Sequence, residues 1–392
     1  MRRSVMTIAV LFTPTVGMAQ ATGAIPTRPI GKMEVEYREP FTTVVGLREL
    51  RDGRVIVADS RDKTLQLIDL ARGTAVPVGR TGAGPGEWGF PGRLHALPGD
   101  TTMMPDFTNY RLFFITPDGK PGATVRLDDK NPMSFGDLVG VDRTGSALVI
   151  APQHSADPAG GSAGIAHVLR MNRRTSRADT VATLAKPKGE KSGASSLSGG
   201  LLRNFTNLPL AAQDLAVIAP DGRIILVRAN PYRIEIISPD GKRTSGPVAT
   251  PSKVRIDDAE KEAFTRSQIR PGVIMVRGPA GPAAPTGGQA KAKDLSSADI
   301  KAMMNPDMTW PDIKPPFLAG AAQVDPSGRV WVLRSRAWND SIPTFDVFDA
   351  TGSLTERVTL PKRTRLVGFG NGVAYLTRTD DDDLLWLQRV RR

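Results

Sequence analysis

Residues 50–70 read LRDGRVIVADSRDKTLQLIDL. A glycine turn leads into one alternating strand, a polar reversal and a second strand. Alternation with period two, punctuated by a glycine where the backbone must take positive φ, specifies an antiparallel hairpin. The same grammar returns as LPGD at 97–100, DRTG at 142–145, APDG at 219–222, DPSG at 325–328 and FGNG at 369–372. The turn glycines Gly53, Gly99, Gly145, Gly222, Gly328 and Gly372 are separated by 46, 46, 77, 106 and 44 residues. Three of these gaps match one propeller blade of about 40–50 residues, and the two long gaps call for insertions of about 31 and 60.

Strand pairs follow further turns, RIILVR (223–228) with RIEIIS (233–238) and RVWVLR (329–334) with TFDVFD (344–349). A second tight turn, SPDG at 238–241 or DATG at 349–352, then leads to an outer strand. Four strands in each of six units predict an all-β, six-bladed propeller of four-stranded antiparallel blades. The last unit runs out of chain after LLWLQRVRR (384–392), so KMEVEYR (32–38) is expected to supply its outer strand. That closure removes exposed sheet edges.

The first residues carry a different signal. Arg2 and Arg3 precede an apolar run, Val5 to Val16, and Ala19-Gln20-Ala21 ends it as a small-residue cleavage site. This order predicts a signal peptide over 1–21 and a single propeller domain over 22–392 in the periplasm or outside the cell. The chain has no Cys, which removes lipid attachment at a lipobox, disulfides and thiolate metal sites. No transmembrane span is expected, because no stretch approaches about 20 consecutive apolar residues. The net charge of +12 falls to +10 once Arg2 and Arg3 are lost. A basic exported protein suits anionic glycan or lipid surfaces, or an acidic envelope protein. Nucleic acid is not expected, because the basic residues are scattered rather than striped.

GRTGAGPGEWGFPGRL (79–94) contains a literal G-x-G-x-x-G in Gly84, Gly86 and Gly89. A dinucleotide loop must leave a parallel strand and open a helix. Here RLHALPGD follows, a strand ending in a turn, so the segment reads as the connector between blades one and two. VIVADSRDKTLQLID (55–69) and PDFTNYRLFFITPDG (105–119) resemble NHL-type repeats. Residues 318–392 are similar to the last two blades of exported bacterial six-bladed propellers of largely unassigned function. The connector residues Gly82, Gly84, Gly86, Glu87 and Trp88 match that family's G-x-G-P-G-E-[FW] pattern. The resemblance implies the fold and leaves activity open, since propellers host many functions.

The extra length is expected in three places. Residues 152–166 lengthen a loop in blade three, 185–212 form a flexible link to blade four, and 252–317 hold the helical and low-complexity insertion between blades four and five. Within the last, RIDDAEKEAFTRSQIRPG predicts a helix capped by Asp257 or Asp258, with Arg270 late and Pro271-Gly272 as a stop. SSADIKAMMNP predicts another, capped by Ser296 with Asp299 in a capping box. Residues 277–293 are low in complexity. All of these insertions fall at second-to-third-strand loops or between blades, which share one face, and one-sided elaboration marks a binding surface.

Catalytic signatures are sparse. His95, His154 and His167 occupy inequivalent repeat positions, so no His-ligated metal centre is expected. A calcium site of carboxylates and carbonyls would leave little trace, but Asp380–Asp383 lacks the D-x-D-x-D-G spacing. No cofactor and no catalytic residue is assigned. The repeat register does align Asp59, Asp106, Arg228, Arg334 and Arg378 at second-strand ends on the elaborated face. The three Arg could form an anion-accepting arc flanked by Tyr232, Arg336 and Trp338. The competing expectation is that these charges pair with one another and rigidify the ring. Three functions remain open: a non-enzymatic ligand- or protein-binding propeller, a lyase or hydrolase of polyanions or glycans using Tyr110, Tyr232 and Asp106, and an envelope scaffold docking through 257–304.

Overall fold

The computed structural model describes residues 24–127, 131–134, 136–154, 162–197, 201–271, 295–304 and 306–392. The expected signal peptide and the low-complexity segment lie outside these residues. Six antiparallel sheets follow one another along the chain. Blade one comprises Val44–Glu49, Val55–Asp59, Thr64–Asp69 and Thr74–Pro77. Blade two runs from His95–Ala96 to Pro121–Arg126, and blade three from Asp137–Val141 to Ala178–Lys188. Blade four runs from Leu215–Ile218 to Arg243–Ser245, and blade five from Ala322–Val324 to Leu354–Thr359. Blade six contains Thr364–Phe369, Val373–Thr379 and Leu385–Arg391. All six turn glycines have the positive φ that the sequence demands, from 71° at Gly372 to 90° at Gly222.

The apolar runs of the second strands follow from their place between neighbouring blades. Every residue of Val55–Asp59 is buried, whereas the outer strand Thr74–Pro77 is exposed throughout. Each blade interface holds its own apolar cluster. Val55 and Val57 of blade one meet Val373 and Tyr375 of blade six, while Ile56 and Leu67 meet Met104 and Phe113 of blade two. Met103 and Val149 join blades two and three, and Leu148 and Leu226 join three and four. Val227 and Val332 join four and five, and Trp331 and Leu376 join five and six. At about 1.5–3 kcal/mol per buried large apolar side chain, these radial contacts hold the ring together.

Met33–Glu36 pairs antiparallel with Leu385–Arg391 and closes blade six, as the strand count requires. The chain start does more than the sequence suggests. Thr27–Pro29 runs parallel to Leu354–Thr359 as a fifth strand on blade five, so one segment ties two blades.

Two insertions differ from expectation. Residues 185–212 read as a flexible link because Lys, Gly and Ser dominate them. Instead the outer strand of blade three reaches Lys188, and Ser192–Leu197 and Leu201–Thr206 form a hairpin. Ile269–Pro271 adds a third strand to this hairpin, so the expected helix end at Arg270 is overridden by long-range pairing. The helix α1 (Asp258–Ser267) stops at Ser267, with the Asp257 side chain accepting from the Glu260 amide at its start. The second helix, α2 (Ser297–Ala302), carries the Ser296–Asp299 capping box.

The connector of residues 79–94 is held by its own side chains. Glu87 accepts from the Gly84 amide at 2.8 Å, and the buried Trp88 donates Nε1 to the Val78 carbonyl at 2.9 Å. A carboxylate thus occupies an amide that a pyrophosphate would need. A Cβ on Gly82 would stand 2.1 Å from Glu87 Oε2, which explains glycine there. Arg111 donates to the Ala83 and Glu87 carbonyls and fastens the connector to blade two.

Candidate functional site

The aligned charges at second-strand ends are consumed inside the fold. Asp59 is buried and accepts from the amides of Thr42, Thr43, Arg61 and Asp62. Asp106 is fully buried and accepts from the Gly89 amide, Asn109 and Arg111. Arg228 bridges Asp214 at 2.8 Å and Glu235 at 2.9 Å. Arg334 grips Asp346 at 2.7 Å, and Arg378 pairs with Glu36 at 3.0 Å. An open arc of guanidinium groups is therefore not formed. The expected pairing of these charges with one another is not formed either. Arg334 and Arg378 meet carboxylates of their own blades, while Arg228 meets Glu235 of its own blade, Asp214 just ahead of it and the Thr183 carbonyl of blade three. Repeat register locates chain positions, but a strand end between packed blades is a place where charge must be neutralised.

Tyr232 is 3% exposed and donates its hydroxyl to Asp346 across the blade four–five interface. Burial, reinforced by the Asp346 charge, drives its pKa well above the ordinary tyrosine value, which leaves it a poor base. Tyr110 is exposed on blade two, distant in topology from Tyr232, so the residues of the expected acid–base set are not assembled. Asp380 caps its own turn and accepts from Trp386 Nε1 at 2.6 Å. Among the described residues no three His, Asp or Glu side chains converge as a metal site.

The insertions build something else. A cavity of about 770 Å³ opens on the elaborated face at the starts of the inner strands of blades five and six. Three of the expected residues line it: Arg334, Arg336 and Trp338, all from the long loop after the second strand of blade five. Arg228, Arg378, Asp59, Asp106 and Tyr232 do not.

One wall is α1. Glu260 is 3% exposed, binds Lys314 Nζ at 2.5 Å and accepts from the Trp338 amide at 2.7 Å. It thereby ties the helix, the chain entering blade five and the rim loop to one carboxylate. Phe264 meets Trp310 edge-to-face with ring centroids 5.5 Å apart, fixing the helix on the same side. Arg336 turns its guanidinium to the Asp340 carbonyl and shapes the loop tip, leaving the Trp338 ring 58% exposed at the rim.

The opposite wall holds Arg365 of blade six and Arg93, which ends the connector into blade two. Neither was legible as a site residue. Both precede or begin inner strands, whose cavity-facing side chains vary from blade to blade and carry no repeat signal. Ser335 adds a buried hydroxyl to the cavity wall with no hydrogen-bond partner. In all, five cationic side chains and two carboxylates line the cavity among apolar groups such as Leu318, Leu333 and Phe345. Such a surface can bury a small molecule and orient a charged group on it.

No protein-family model matches the sequence, and no curated protein matches it. Solved structures of similar shape include a Bacteroides fragilis protein whose export is inferred, at 12% identity and a TM-score of 0.46, over 93% of this chain and 94% of the other. The calcium-binding protein regucalcin from Agrobacterium tumefaciens gives 11% identity and a TM-score of 0.43, over 94% and 98%. An inactivated virginiamycin B lyase from Staphylococcus aureus, solved with quinupristin, gives 10% and 0.41, over 92% and 99%. With identities this low, the propeller assignment rests on the chain's own six sheets.

Proposed function

We propose that this chain is an exported, non-enzymatic propeller that binds a small ligand in the cavity between α1, the blade five rim loop and the inner strands of blades five and six. One observation carries the reading. On the elaborated face, the 252–317 insertion and the blade five rim loop border an open cavity of about 770 Å³ whose walls are cross-tied by Glu260, Lys314 and Trp338. A volume of that size suits a ligand of drug or oligosaccharide-fragment dimensions. The reading takes 1–21 as the export segment and 22–392 as one domain, supported by the order of basic, apolar and small residues at the start of the sequence.

The test fills the cavity. Ala263 lines it from α1, and Ala263→Trp would occupy its volume from the solvent side. A thermal-shift panel of sugars and organic acids is expected to yield compounds that stabilise the wild-type protein and leave Ala263→Trp unmoved. Compounds that stabilise both proteins equally would show that binding happens elsewhere.

A further inference from the structure

The cations around the cavity fall into two kinds. Arg334 has Asp346, and Lys314 has Glu260, each at 2.7 Å or less. Arg93 and Arg365 have no ion pair and no hydrogen bond among the described residues, although both line the same cavity. Two guanidinium groups set on one concave wall without a counter-ion repel each other, and the repulsion grows as water is excluded. Arg228, Arg334 and Arg378 are held against carboxylates, whereas Arg93 and Arg365 are exposed to the open cavity with their guanidinium groups free for a ligand.

The surroundings sharpen the point. Arg365 is exposed by area in the open cavity, yet partial desolvation, and secondarily Arg93, hold its pKa below the ordinary arginine value, which still leaves it charged at neutral pH. Two residues after Arg93, the imidazole of His95 is 7% exposed, and its Nε2 has no hydrogen-bond partner among the described residues. Ser335, 6% exposed and lining the cavity, leaves a buried Oγ unpartnered. A hydroxyl that donates and accepts complements two guanidinium forks around a planar acid group.

We infer that Arg93 and Arg365, with the Ser335 hydroxyl, form the subsite for a ligand carboxylate in this cavity. The inference rests on the proposed binding site and adds the chemical class of its ligand: a small organic acid whose body lies on the apolar wall toward Trp338. An acidic sugar and an aromatic acid share this chemistry, and matched neutral compounds separate them from adventitious binding.

The experiment titrates wild-type protein, Arg93→Gln, Arg365→Gln and Ala263→Trp with glucuronate against glucose, and with benzoate against benzamide. Binding is read by calorimetry and by the thermal midpoint at low salt. Glucuronate or benzoate is expected to bind the wild type, its neutral partner to bind at least about tenfold more weakly, and each Arg→Gln change to cost about tenfold or more. Which acid binds identifies the body. Without any ligand, Arg365→Gln is expected to raise the thermal midpoint, because it relieves the repulsion; a merely structural arginine would lower it. Acid and neutral partner binding equally, both abolished by Ala263→Trp, would keep the cavity and overturn the carboxylate subsite. Acid binding that survives Ala263→Trp overturns both. Absence of binding by either acid, with a lowered midpoint in ligand-free Arg365→Gln, likewise overturns the subsite.

Discussion

The hydroxyl of Tyr232 in blade four donates to the carboxylate of Asp346 in blade five at 3.1 Å. Asp346 is fully buried and also accepts from Arg334 and Arg357, so three donors from two blades satisfy one charge. Beside it the blade interface packs Val227, Val332, Phe317 and Phe348, and at the other face Arg223 of blade four donates to the Gly328 and Ala350 carbonyls of blade five. Tyr232→Phe removes the cross-blade donor while keeping the ring that lies tilted against Phe317 and edge-on to Phe348. The expected cost is about 2 kcal/mol, the range for a hydrogen bond to a charged group, read as a lower denaturant midpoint with unchanged slope. An unmoved midpoint would mean that the two arginines satisfy Asp346 alone.

Arg228 tests the reading of the second-strand charges. It is partly buried between Asp214 and Glu235 and lies outside the cavity. Arg228→Gln is expected to destabilise the protein by roughly 2–3 kcal/mol, because it leaves the nearly buried Asp214 with fewer donors. Ligand-induced thermal shifts should persist in the variant. Loss of those shifts with stability intact would restore Arg228 as a ligand contact.

Most of the architecture was legible because it repeats. Gly53, Gly99 and Gly328 mark the turns by a backbone requirement that no other residue meets cheaply, and the missing last strand could be counted. The hairpin over 192–206 was not legible, since Ser and Gly favour flexible chain and only pairing with Ile269–Pro271 from a distant insertion completes its sheet. The site was half visible. Arg334 stood out by its repeat register, with Arg336 and Trp338 flanking it, whereas Arg93 and Arg365 carry no periodic signal. Arg228, Arg334 and Arg378 share one register, yet each meets a carboxylate from a different place in the fold, which register does not encode.

His95 gives the fold a pH dependence. Burial, and then the charge of Arg93, lower its pKa from the ordinary 6.5 to about 4. As pH falls below about 6.5 the unfolded chain takes up this proton first, so stability declines until the folded imidazole also protonates near pH 4. The contribution is fully present above pH 6.5 and amounts to about 3 kcal/mol over that interval. His95→Gln should flatten this part of a stability-against-pH curve measured by urea denaturation. Parallel curves for the two proteins between pH 6.5 and 4 would rule the assignment out.

Glu260 is the anchor of the cavity wall. Glu260→Ala leaves Lys314, which is only 11% exposed, without its counter-charge and with the Arg336 carbonyl as its partner, and releases the Trp338 amide. The loss of about 3 kcal/mol falls on the insertion and the rim loop, because the Glu260 contacts join α1 to Lys314 and Trp338. Limited proteolysis should therefore accelerate within 258–304, while the global unfolding midpoint moves little. Unchanged cleavage would show that α1 is held by other contacts.

The account stands or falls on where a ligand sits. Hydrogen–deuterium exchange with and without the best stabilising acid reports that position directly. Slowed exchange is predicted at 333–343, 363–366 and 92–96, the rim loop, the blade six inner strand and the stretch that carries Arg93. Slowing confined to 228–236 and 376–386, with the cavity segments unchanged, would contradict it.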